Sequence, residues 1–74
     1  MATVLHLLKA GGHPLADETM RREVAAGDRV TVALLDGAAS AGVPAGVRRV
    51  RVPEDVSYSQ LLDLVFEAER VIAW

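Results

Sequence analysis

The sequence predicts a small three-layer α/β domain, a parallel sheet of about four strands with helices on both faces and the order β-α-β-β-α-β. Two observations carry this. Short apolar runs rich in β-branched residues alternate with helix-length amphipathic segments, which is the pattern of βαβ units. One of the runs, Val30 to Leu35, is apolar on both faces, as a strand covered on both sides must be. At 74 residues the chain holds one domain spanning residues 1–74.

The first strand is TVLHLL, residues 3–8, ended by Lys9-Ala10-Gly11-Gly12. A helix is expected over residues 14–26. It opens on Pro14, which suits a first helical position, and Asp17 and Glu18 complement the positive end of its dipole. Leu15, Ala16, Met20 and Val24 form its apolar face, Glu18, Arg21, Arg22 and Glu23 fall on the wet side, and Gly27 stands at the C-cap. The second strand, residues 28–35, ends at Asp36-Gly37. The small-residue stretch 37–47 has room for one helical turn around Ala38 to Ala41 and is just long enough for a parallel crossover.

RRVRV, residues 48–52, alternates, with Val50 and Val52 on one face and Arg49 and Arg51 on the other, as suits a strand near the sheet edge. Pro53 stops it. Ser57-Tyr58-Ser59-Gln60 reads as a capping box opening a helix to about residue 70, and Val71-Ile72-Ala73-Trp74 is the last strand. Connections of the right-handed kind then stack the helices on the sheet.

A net charge of −2 and the absence of cysteine exclude broad phosphate neutralisation and any thiol, disulfide or persulfide chemistry on the chain's own side chains. The opening has no charged n-region, its apolar run is too short for a signal peptide, and no stretch approaches a membrane span; a cytoplasmic protein is expected. With 51% hydrophobic residues in so short a chain, apolar surface is left over for a partner, and oligomerisation is the remaining prop for a small core.

Ligands of open parallel sheets sit beyond the carboxyl ends of the strands. The candidate there is Lys9 with the backbone N–H groups of Gly11, Gly12 and His13, a cradle for a small anion; the plain alternative is a glycine turn with a solvated lysine. His6 and His13 lack metal-ligand spacing, and His6, inside an apolar strand, reads as a hydrogen-bonded core or interface histidine. Asp36 and Ser40 could pair with His13 for acid or nucleophile work, but nothing in the sequence places them within reach, and a turn-forming Asp-Gly is the commoner explanation. No catalytic residue, metal or cofactor is assigned. Arg48, Arg49 and Arg51 form a basic stripe that could meet RNA phosphate or an acidic partner; the plainer reading is the protection of an edge strand. Tyr58 and Trp74 are the candidate interface aromatics, and packing on the domain itself is an equal alternative for Trp74.

Three stretches carry a family likeness: Leu5-His6-Leu7-Leu8-Lys9; Gly27-Asp28-Arg29 leading through Val30 to Leu35 into Asp36-Gly37; and Val56-Ser57-Tyr58-Ser59-Gln60-Leu61-Leu62-Asp63-Leu64 running to Ala73-Trp74. In their order they resemble the DsrE/DsrF/DsrH superfamily, most closely its TusB/DsrH branch. The resemblance implies a Rossmann/flavodoxin-like domain and a subunit of a sulfur-relay hetero-oligomer, in one setting serving thiolation of the tRNA wobble uridine. There the sulfur-carrying cysteine belongs to the DsrE/TusD-type partner. Some DsrH members have a cysteine in the loop after the first strand, where this chain has Lys9 to His13 without one, and the chain is shorter than typical members between the second and third strands. The expected role is a scaffold with DsrE/DsrF- or TusC/TusD-like partners; the alternative is a stand-alone homo-oligomeric domain that binds a small anion.

Overall fold

The computed structural model describes residues 1–10, 13–38 and 42–74. Its elements are β1 (Thr3–Leu8), α1 (Ala16–Ala25), β2 (Arg29–Leu35), β3 (Arg48–Val52), α2 (Tyr58–Glu67) and β4 (Arg70–Ala73). The strands form one sheet in the order β3-β2-β1-β4, and every neighbouring pair is parallel. This is the expected small α/β architecture of flavodoxin-like type. From β1 the chain moves toward β3, and from β3 it returns across the sheet to β4. Right-handed crossovers in opposite directions must use opposite faces, so α1 and α2 cover different sides.

The two cores follow from the period of 2 in the strands. Val4, His6 and Leu8 of β1 point toward α1, and Leu8 meets Met20, Val30, Val32 and Leu34 there. Leu5 points the other way and packs with Ala33, Val50 and Val52 beneath Leu61, Leu64 and Val65 of α2 and the Ala68 that follows it.

α1 starts two residues later than expected, because Leu15 is the N-cap and carries no side-chain acceptor for the first amides. Leu15 is 56% exposed, which corrects its assignment to the apolar face. Glu23 is corrected in the opposite sense: it is only 9% exposed. The helix closes in a Schellman motif, with the Gly27 amide on the Val24 carbonyl and the Asp28 amide on the Glu23 carbonyl, both at 3.0 Å. Gly27 supplies the positive φ of 88°.

After β2, Asp36 and Gly37 both have positive φ, 52° and 76°, and the Ala38 amide closes the turn on the Leu35 carbonyl at 3.0 Å. The segment that follows shows no helix among its described residues; Ala39, Ser40 and Ala41, most of the expected helical turn, lie outside them. Ala38, Val43 and Val47 pack into the α1-side core instead. Gly46, at φ 89°, passes so close to α1 that a Cβ there would lie 3.0 Å from Val24 Cγ1. The glycines of this stretch let a bare loop stand in for a crossover helix beside α1.

α2 opens with the capping box: the Gln60 amide donates to Ser57 Oγ at 3.1 Å and the Ser57 amide to Gln60 Oε1 at 2.7 Å. It ends at Glu67, earlier than expected, because Ala68 is already extended and the Glu69 amide has joined the Thr3 carbonyl of β1 at 2.8 Å. β4 accordingly begins at Arg70 and leaves Trp74 just past its end. Among the described residues, no helix is long and apolar enough to cross a membrane.

Candidate functional site

In the sheet order β3-β2-β1-β4 the chain leaves β1 toward β2 while β4 lies on its other side, so the crevice where this fold type receives ligands opens at the carboxyl ends of β1 and β4. Trp74 occupies it. The Trp74 amide holds the Leu7 carbonyl at 3.0 Å, and the half-buried indole packs against the α1-side core. Its ring lies nearly coplanar with that of His6, centroids 6.0 Å apart and planes 7° apart, and meets His13 at 4.8 Å and 38°.

Beneath the indole runs a continuous line of polar contacts. Trp74 Nε1–H donates to His6 Nδ1 at 2.8 Å, and His6 Nε2 lies 2.5 Å from Glu23 Oε1. An indole nitrogen can only donate, so Nδ1 is the acceptor, the imidazole proton sits on Nε2, and Nε2–H donates to the Glu23 carboxylate. Both imidazole nitrogens are used in this arrangement. The line continues on the outer side: Arg70 Nη2 is 4.0 Å from Glu23 Oε2 and 3.1 Å from Asp28 Oδ2, and Asp28 Oδ1 accepts from the Ala2 amide at 3.0 Å. It spans the seam between β1, β4 and α1 from one end of the strands to the other. No buried side-chain nitrogen or oxygen among the described residues is left without a partner.

Glu23 is the member of this line that the sequence reading placed in solvent. The signal that locates it is in α1 itself: Ala16, Met20, Glu23 and Val24 stand at i, i+4, i+7 and i+8, the spacing of a core-facing stripe. An acid on that stripe needs a buried partner, and the unexplained histidine in the facing strand is the available one. His6, fully buried with two partners, is a hydrogen-bonded core histidine.

The other candidates fall as follows. Lys9 is exposed at the end of β1, and Gly11 and Gly12 lie outside the described residues. His13 is exposed, and its Nδ1 accepts the Leu15 amide at 3.1 Å, so one nitrogen serves the entry to α1. Asp17 and Glu18 occupy the first turn and oppose an anion there. Ser40 lies outside the described residues, and His13 and Asp36 share no hydrogen bond among those described. No group of three metal-ligating side chains occurs among the described residues. Arg48 and Arg51 are exposed on the edge strand, while Arg49 donates to the Val43 carbonyl at 3.0 Å and so braces the loop before β3. Tyr58 is 58% exposed at the start of α2, on the opposite face from Trp74.

At the other end of the sheet, a cleft of about 470 Å³ lies between α2 and the starts of β2 and β3, with Arg29, Thr31, Arg48 and Glu67 on its walls. Its charges are of both signs, and its arginines are exposed.

The fold and these contacts define a small doubly wound α/β domain whose switch-point crevice is filled by its own tryptophan. Compared with known proteins, the chain matches no family model, no curated protein and no solved structure.

Proposed function

We propose that the chain is a non-catalytic subunit of a DsrEFH/TusBCD-like sulfur-relay complex, a scaffold for a cysteine-bearing DsrE/DsrF- or TusC/TusD-like partner, with thiolation of the tRNA wobble uridine as a setting. The observation that carries this reading is the Trp74 indole, seated in the switch-point crevice and bonded to His6. A domain that fills its own ligand crevice with a side chain has given that volume to packing, and its work passes to its surfaces. The absence of cysteine supports the same division of labour, in which the sulfur travels on a partner.

The filled crevice counts against the anion-binding alternative, and so do the acids in the first turn of α1. The test is capture of the tagged chain at native expression level under conditions that preserve persulfides. A co-purifying DsrE- or DsrF-like protein with a modifiable cysteine is the expected result. Recovery of the chain with no such protein overturns the reading.

A further inference from the structure

We infer that two copies of this chain pair through β4, joining their sheets into one of eight strands and bringing the outer flanks of their α2 helices to face each other. The helix-bearing face of this seam is opposite the one on which the Trp74 indole packs.

The two edges of the sheet differ. β3 carries Arg48, Arg49 and Arg51 and runs into Pro53, devices that discourage strand addition. β4 offers Val71, Ile72 and Ala73 with one charge, Arg70, whose guanidinium turns inward to Asp28. Beside this open edge lies unpartnered apolar surface. At 3.6 residues per turn, Leu61, Leu64 and Val65 form the arc of α2 that rests on the sheet, with Ala68 just past its end. Leu64 and Glu67 border the side toward β2 and β3, where they line the cleft. Tyr58 and Leu62, both 58% exposed, therefore flank the β4 side, Phe66 at 84% continues their ridge toward solvent, and Val71, on the same face of the sheet as α2, is 40% exposed.

Self-complementarity selects a second copy as the occupant. Tyr58, Leu62 and Phe66 are spaced i, i+4, i+8, so a two-fold axis level with Leu62 sets an aromatic of each copy toward an aromatic of the other. The strand places its own two-fold at the same height. Leu62 stands six residues before Ala68, about 9 Å along the helix at a 1.5 Å rise. Ile72 stands three residues after Glu69, about 10 Å along the strand at a 3.3 Å rise. One axis through Ile72 serves both elements. Antiparallel pairing about it sets Val71 opposite Ala73 of the second copy, on the face that α2 occupies, so the floor between the facing helices is apolar too.

Sedimentation of the purified chain over about 1–100 μM, the range in which a modest interface of this kind dissociates, tests the pairing. The expected result is a reversible dimer. Its dissociation constant should rise at least about tenfold in the Leu62→Glu/Phe66→Glu variant and in Val71→Lys, and stay unchanged in Glu67→Lys on the other flank of α2. Circular dichroism confirms that each variant is folded, as all these side chains are exposed. A chain that stays monomeric throughout, or a dimer indifferent to both β4-side variants, overturns the inference, as does a stripe that binds only a different protein. The measurement needs no relay partner, so its failure and that of the proposed function are read separately.

Discussion

His6 and Glu23 close the interface between β1 and α1 with a 2.5 Å contact whose direction is set by a third residue, because Trp74 claims the other imidazole nitrogen. A buried polar pair of this kind stabilises little against a well-packed apolar alternative, but breaking it from one side strands the survivor.

Replacing His6 with leucine is expected to destabilise the fold by about 3 kcal/mol, since the Glu23 carboxylate keeps only the distant Arg70 and the Trp74 N–H loses its acceptor. Glu23→Leu should cost less, about 1–2 kcal/mol, because the imidazole left behind keeps its bond from Trp74. Urea unfolding of both variants and of His6→Leu/Glu23→Leu should show the double change costing clearly less than the sum. Additivity would mean the two side chains are not coupled.

Trp74→Phe removes one hydrogen bond and leaves Nδ1 of a fully buried imidazole without a donor, for a loss of about 1–2 kcal/mol. Trp74 is the only tryptophan, so its fluorescence in the unaltered chain follows the same contact. A red shift on unfolding is expected, and the His6→Leu variant should show part of that shift while still folded. An emission already solvent-like in the folded chain would contradict the packing described.

Gly46→Ala and Gly27→Ala separate backbone strain from crowding. Both positions have φ near +90°, but an added Cβ meets Val24 at 3.0 Å in the first case and nothing within 4 Å in the second. Gly27→Ala should cost about 1 kcal/mol, and Gly46→Ala about 1 kcal/mol more. Trimming Val24 to alanine should recover part of that second increment in thermal melts, though the smaller residue costs packing of its own. Equal costs for the two glycines would show that the loop moves away from α1 freely.

Ser57→Ala removes the acceptor for the Gln60 amide and should cost about 1 kcal/mol. Amide exchange should then quicken in the first turn of α2 before it does so in β1 or β2.

The strands and both helices were legible from the periods of their side chains, and the Asp36-Gly37 turn, the Gly27 C-cap and the Ser57 capping box from local chemistry. Those signals act within a few residues. What was not legible depends on contacts across the sheet. Glu23 looked solvated because charge outweighed its place on the stripe, and its partner lies 17 positions away. The seating of Trp74 on His6 joins residues 68 positions apart, and no local pattern announces it. Leu15 misled for the converse reason: an apolar residue at a helix entry reads as core, whereas here it is the cap position facing out. In α2 the apolar arc is wider than the sheet beneath it can cover, so its hydrophobicity alone could not separate the seated residues from Leu62 and Phe66.

The arginines of β3 bear on more than the edge they occupy. A sheet with two inviting edges can add copies at both ends and grow without limit, as fibres do. With growth opposed at the Arg48–Val52 border, the pairing inferred at Arg70–Ala73 would end after a single step. Removing those charges is thus a route from a finite particle to an aggregating one, through a strand far from the surface where assembly begins.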